Sequence, residues 1–578
     1  MSDNQVMSEF SAIPLLVGVV GHRDLVPHEL PAIRAAAAQL LHTLKEAQAD
    51  VRINLLSAQA EGADLVVADV AQELGIGIIA LLPFDEAYCR AELSNDAARA
   101  IFDRTMAGAE KLELSQMTGA ADCAQSGESR DRQFERAGDL IAQHCSLLIA
   151  IWDGLETEHR AGTARTIEQR RGAKSSLALS ADNDLLYEIR CSRLRSNAKH
   201  TGVHVIGFVT GETRPGGIQL GIPPVLKTQL ARTAEFNRDV SDYRGRVATQ
   251  DRGLSAGGEY AASSALGYLD RLFSSADRLA VHFGRCFRRA LVIRFSLWAL
   301  MAYLLLAFKH NPDGVRGFLT ITAVLLAFAL SWLLAYWARH RSWDRRYLDY
   351  RALAEGLRVD FYWELSGVRA QFDDAFAHEG FLQKQDAQIE WMRAAMRAVN
   401  LHCALLPRTA VPDGVERVLS VWVGDPDPAS GSGQRHYYRQ RTVALERRLA
   451  IAEHVSRAML LTGLALAVSL GIDVALRLFG DLPVLASLPR NMLLTALALL
   501  TAYTAIFEIY LAERADRSLV RQYRHMDSLF SNAAQQLGSA RNTVDKLAIL
   551  RALGHACLAE HAQWILAHRE KRVDGLRW

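Results

Sequence analysis

Three glycine-bearing turns hold the residue types able to do chemistry. Gly18-Val19-Val20-Gly21-His22-Arg23 closes one apolar run, Ser57-Ala58-Gln59-Ala60-Glu61-Gly62-Ala63-Asp64 follows a second, and Trp152-Asp153-Gly154 with Gly162-Thr163 follows a third. Glycine lets a backbone turn tightly and approach a ligand, and unpaired N–H groups at turns and helix starts favour a negative group. The set predicts a phosphate cradled by Gly18, Gly21, Gly62, Gly154 and Gly162. Arg23 would pair with it, His22 would cap or stack, Ser57 and Thr163 would donate hydroxyls, and Glu61 or Asp64 would accept from ribose hydroxyls. A nucleotide-derived ligand follows. The competing reading is structural: His22 and Arg23 brace their turn while Asp64 caps a helix.

Bringing the turns together falls to the strands before them. Apolar runs at 15–20, 51–56, 76–82, 111–114, 146–152 and 203–209 alternate with helical stretches such as 31–47 and 63–74. Runs apolar on both faces suit central parallel strands covered by helices on each side, and the spacings fit βαβ crossovers. The expectation is an α/β, Rossmann-like parallel-sheet domain over residues 1–220, with its ligand beyond the carboxyl ends of the strands at the switch in strand order.

Beyond a helical linker at 221–289 the pattern changes to long apolar segments. Residues 317–337 carry no charge and, at about 1.5 Å per residue, make a helix roughly 30 Å long, enough to cross a bilayer. With residues 290–308 they form a first hairpin (290–337). Residues 458–479 and 491–511 form a second (458–511), giving four transmembrane helices. Cytosolic helices are expected at 338–457 and 512–578. The alternative, buried helices of a soluble protein, fits such long uncharged runs poorly. Arg285, Arg288 and Arg289 precede the first span, Arg339, Arg341, Arg345 and Arg346 follow the second, and Arg447, Arg448, Arg457, Arg514, Arg517, Arg521 and Arg524 flank the second hairpin. The connecting loops hold only Lys309, Arg316 and Arg490, so the positive-inside rule puts both termini in the cytoplasm of an inner-membrane, multi-pass protein. No secretory signal is read at the start of the chain.

Composition narrows the partners. Lys plus Arg total 66 against 64 Asp plus Glu, a formal charge of +2, so no overall basic field draws the chain to nucleic acid, and no nucleic acid polymer is expected. Seven cysteines lie scattered without a C-x-x-C pair, so neither a metal site nor a disulfide framework is expected.

Within the third span Asp473 and Arg477 stand four residues apart on one helix face, and Glu508 lies near the end of the fourth. Charges inside a bilayer usually face a partner or a watery path, which makes these three pore candidates. Arg477 and Glu508 have the alternative of snorkelling to opposite interfaces.

The stretches GVVGHRD, LLSAQAEGADLVVADVA, LLPF and RAGDLIAQHCSLLIAIWDG with GTA resemble the SLOG superfamily, which includes nucleotide sensors and nucleoside-monophosphate phosphoribohydrolases. The remainder, with YRALAEGLRVDFYWELSGV and EHAQWILAHRE, is similar to SLATT-type two-helix membrane modules in tandem. The resemblance implies a sensor of a nucleotide second messenger that acts on the lipid bilayer as a homo-oligomeric pore-forming effector in antiphage defence. The hydrolase branch carries P-G-G-x-G-T-x-x-E. Here Arg160-Ala161 replaces the double glycine, and Arg165-Thr166 stand where the catalytic acid belongs, so no catalytic residue and no cofactor is expected. The runner-up is a membrane-tethered nucleotide hydrolase using Glu61 or Asp64 as general acid or base; a passive scaffold is the third reading.

Overall fold

The structure is a computed structural model. It describes residues 12–114, 127–155, 162–170, 185–194, 202–209, 221–243, 253–255, 260–261, 263–310, 312–371, 389–407, 411–424, 433–479, 490–514 and 516–575. Arg160, Ala161 and Cys123 lie outside them. Contacts gather the chain into two compact units. Met1–Leu279, Ala352–Pro412 and His561–Gln563 form the first, and Ala280–Arg351, Asp413–Glu560 and Trp564–Trp578 the second.

The first unit is built on a seven-stranded sheet, order β4-β3-β2-β1-β5-β6-β7. Its strands are β1 (Leu15–Gly21), β2 (Ile53–Ser57), β3 (Gly77–Leu82), β4 (Glu110–Glu113), β5 (Leu147–Trp152), β6 (Leu185–Arg190) and β7 (His204–Val209). β1 pairs in parallel with both β2 and β5. Strand periodicity divides β1 between two faces. Leu15, Val17 and Val19 join a core with Ile33, Ala37 and Leu41 of helix Leu30–Ala47 and Val67 and Ala68 of helix Ala63–Glu73. On the opposite face Gly18 meets Ile141 and Cys145 at the end of helix Gly127–His144. Each large apolar side chain buried this way contributes about 1.5–3 kcal/mol.

Two details correct the expectation. β6, LLYEIR, adds a strand that the sequence pattern did not mark, and β7 runs antiparallel to it, so the sheet is parallel except at that edge. β6 hides its period because its Glu188 is buried, accepting from Trp152 Nε1 at 2.7 Å and pairing with Arg190 Nε at 2.9 Å. Helix Glu390–Leu405 also belongs to this unit and packs on β1 and on helix Gly127–His144. Its buried Arg393 and Arg397 face Glu390, and the buried Arg369 reaches Asp360 at 2.9 Å.

The second unit holds the apolar parts of four helices long and apolar enough to cross a membrane: Ala265–His310, Gly314–His340, Gly433–Phe479 and Arg490–Arg514. The chain is thus an α/β sheet domain followed by a helical membrane region. Leu325, Leu326 and Phe328 are each more than 60% exposed, as lipid-facing side chains must be. Trp298 Nε1–H donates to Ser331 Oγ at 3.1 Å across the first hairpin, and Ser456 Oγ–H donates to the Glu508 carboxylate across the second. Helix Asp516–Ser539 packs on helix Gly433–Phe479, where Phe530 lies against Tyr438 and Trp422.

Candidate functional site

At the carboxyl ends of β1 and β5 the strand order diverges: β1 is followed in space by β2 on one side and β5 on the other. Such a switch leaves a crevice that no crossover covers. A cavity of about 950 Å³ occupies it, bounded by the loops after β1, β2 and β6, by helix Gly127–His144 and by the start of helix Thr163–Arg170.

Glycine shapes its floor. Gly21 pairs with Ile151 in register, and a Cβ there would lie 2.2 Å from Ala63 Cβ. Gly62, at φ +88°, would clash with the His22 carbonyl at 2.4 Å, and that carbonyl accepts from Ala63 N at 3.1 Å. Two turns therefore touch backbone to backbone, and only residues without a side chain allow it.

His22 is buried, with its Nε2–H directed to Asp153 Oδ1 at 3.1 Å. Burial, aided by the Arg193 charge, holds the imidazole pKa below its ordinary value although Asp153 opposes this. For Asp153, burial pushes up but is outweighed by the Leu155 amide, His22 and Arg193, leaving the carboxyl below the usual range. A neutral imidazole donating to a carboxylate satisfies both directions, and it fixes the tautomer. Arg193 also reaches Asp24 Oδ1 at 2.9 Å, and Leu194 N–H donates to the Asp24 carbonyl at 3.0 Å, which ties the loop after β6 to the loop after β1.

Asp64 opens helix Ala63–Glu73. Burial pushes its carboxyl up to about 7, against the opposing Arg23 charge and the amides of Ala60 and Ala58. Near neutral pH it is part protonated, able to donate to an anion or accept from a hydroxyl. Glu61 is engaged otherwise: it accepts from Ser94 N at 2.9 Å and Asn95 Nδ2 at 3.1 Å, holding the start of helix Asp96–Met106. Thr163 opens helix Thr163–Arg170 beside Gly162, where a Cβ would meet nothing within 4 Å. Arg165 pairs with Glu135.

Of the residues singled out in the sequence, Gly21, His22, Arg23, Glu61, Gly62, Asp64, Gly162 and Thr163 line this one cavity. Gly18, Ser57 and Gly154 are not among its lining residues. A Cβ on Gly18 would come within 2.7 Å of Ile141, so its bareness serves helix packing. Ser57 is fully buried and its hydroxyl accepts from Gln59 N at 3.0 Å. Gly154, at φ +81°, lies against the Arg190 guanidinium. The sequence reading missed Arg130, Phe134 and Arg193. Arg23 lies 4.5 Å from the Phe134 ring centroid and Arg130 lies 5.6 Å from it, a cation–π stack on the cavity wall. The spacing of Arg130, Phe134, Gly138 and Ile141 along one helix face was the available signal.

In the membrane region Asp473 is buried and Glu508 is exposed and held by Ser456. The Arg477 side chain lies outside the described residues. Among the described residues no group of His, Cys, Asp and Glu is arranged to hold a metal.

Comparison with protein-family models, curated proteins and solved structures finds no match to this chain. Fold and site therefore define a class only, a membrane protein with a nucleotide-binding-like α/β domain.

Proposed function

We propose that the chain is a membrane effector that binds a nucleotide-derived second messenger at the β1/β5 crevice and answers by opening its apolar helices, as a homo-oligomer, into a pore. The observation that carries the reading is the convergence of Arg23, Arg193 and the Gly162-Thr163 helix start around one cavity at a topological switch point. Cationic guanidinium groups and a helix N-terminus suit phosphate. The spans would follow because a ligand shifts a conformational equilibrium by its unequal affinity for two states. Antiphage defence is the setting implied by the SLOG and SLATT resemblance, and the inner membrane with cytoplasmic termini is the location implied by the arginine distribution. The test is calorimetry of the full-length protein in detergent against cyclic and ADP-ribose-type nucleotides. Saturable binding lost on Arg23→Ala supports the reading, and absence of binding across the panel refutes it.

Asp64 favours a second reading, nucleotide hydrolysis, since a buried carboxyl titrating near neutrality is suited to general acid or base work. Chromatography separates the two. Freed base abolished by Asp64→Asn means turnover, whereas intact nucleotide after long incubation means a sensor.

A further inference from the structure

Arg294, in the first hairpin, is a half-buried cation. Arg294 lies about one helical turn inside the first span, its guanidinium 4.8 Å from the Trp298 ring centroid, and Trp298 is fixed by its hydrogen bond to Ser331. Arg339, just beyond the second span, acts on Arg294 electrostatically, as does Glu513. Among the described residues neither guanidinium is in a salt bridge. Arg294 thus has a second cation, Arg339, and one carboxylate, Glu513, within electrostatic reach, a net positive set at the ends of the spans away from their connecting loop.

The adjoining surface has the character of a membrane interface. Trp332, Tyr336 and His340 stack along one helix face, with ring centroids 5.8 and 5.9 Å apart and interplanar angles of 16° and 4°. Trp332, Tyr336 and Trp337 are each more than half exposed. Amphipathic rings of this kind settle at headgroup level. An arginine one turn deeper reaches that level by extending along its stem, and guanidinium matches phosphate with paired donors.

We propose that Arg294 and Arg339 form a binding site for the phosphate of an anionic phospholipid headgroup, flanked by the Trp332–Tyr336–His340 ladder. A zwitterionic headgroup brings its own cation and gains less from the surplus charge. An anionic one neutralises it. This inference rests on the membrane reading of the spans and is independent of any ligand in the sheet domain.

The full-length protein in nanodiscs made from equal phosphatidylglycerol and phosphatidylcholine, analysed by native mass spectrometry for retained lipid, tests it. Retention of phosphatidylglycerol should exceed that of phosphatidylcholine by about fivefold or more, the factor of one basic side chain at an anionic surface. The preference should vanish in Arg294→Gln/Arg339→Gln. Should that pair fail to fold, Arg339→Gln alone, at an exposed position, should lower it at least about twofold. Equal retention of both lipids, an unchanged preference in the variants, or displacement of phosphatidylglycerol by an equal concentration of inorganic phosphate would overturn the proposal. Release of the chain from membranes by alkaline carbonate would overturn the membrane reading beneath it.

Discussion

Gly21 and Ala63 are packed so closely that a single methyl group on Gly21 would stand 2.2 Å from Ala63 Cβ and 2.7 Å from the Ile151 carbonyl oxygen. The β1 turn and the helix after β2 are thereby one rigid corner, which sets Arg23 within electrostatic reach of Asp64. Gly21→Ala is expected to destabilise the protein by about 1–3 kcal/mol, the usual cost of overpacking, and Gly162→Ala, where a Cβ meets open space, by less than about 0.5 kcal/mol. Thermal denaturation of the two variants side by side checks this. Equal midpoints would remove the packing explanation.

Arg193 joins the loops after β1 and β6 and faces the cavity, so its removal should be felt by an anionic ligand. Arg193→Gln is expected to weaken binding of any nucleotide that the wild type takes by roughly tenfold or more, the worth of one charge-assisted hydrogen bond. Calorimetry reads the change. An unaltered affinity would leave Arg193 a purely structural brace.

The two buried titrating groups of the cavity predict opposite pH trends. The Asp64 carboxyl is raised from its ordinary 3.8 to about 7, so the folded protein binds the extra proton between these values, and stability falls as pH rises through that window, by about 4 kcal/mol in all. His22 is lowered, so the unfolded chain binds the extra proton below the ordinary histidine value of 6.5, and its contribution to stability is lost as pH falls there. Asp64→Asn should abolish the first trend and leave the second. Anionic ligands, which favour the protonated carboxyl, should bind wild type more tightly at pH 6 than at pH 8. Denaturation midpoints and affinities measured across that range decide both points, and a wild-type profile parallel to that of Asp64→Asn contradicts the Asp64 assignment.

Glu508 is exposed on an apolar helix and accepts from Ser456 on the neighbouring one. If this face lines the conducting path, Glu508→Gln should lower cation flux through reconstituted protein by several-fold without loss of nucleotide binding. Identical flux in the variant would place Glu508 at a lipid interface instead.

Much of this was legible in the sequence because local pattern decided it. β1, β3 and β5 are unbroken apolar runs, and the four spans are long enough that few other structures accommodate them. β6 escaped because its partner strands are distant in sequence and its central Glu188 meets the Trp152 indole N–H and the Arg190 guanidinium once the sheet is assembled. The glycine turns were visible, but the reason for each glycine was not. Gly18 serves the packing of Ile141, Gly21 and Gly62 serve a contact between two turns, and Gly162 alone stands open. Arg130, Phe134 and Arg193 reach the cavity from a helix and a loop far along the chain, and no spacing rule links them to Gly21.

The most direct test of the central claim is dye release from proteoliposomes holding the full-length protein, with cyclic and ADP-ribose-type nucleotides added outside vesicles in which the sheet domain faces outward. At least one nucleotide that binds with micromolar or tighter affinity should also trigger release, and Arg23→Ala should abolish both responses. A nucleotide that occupies the crevice at saturation while the vesicles stay sealed would contradict the coupling of cavity to membrane.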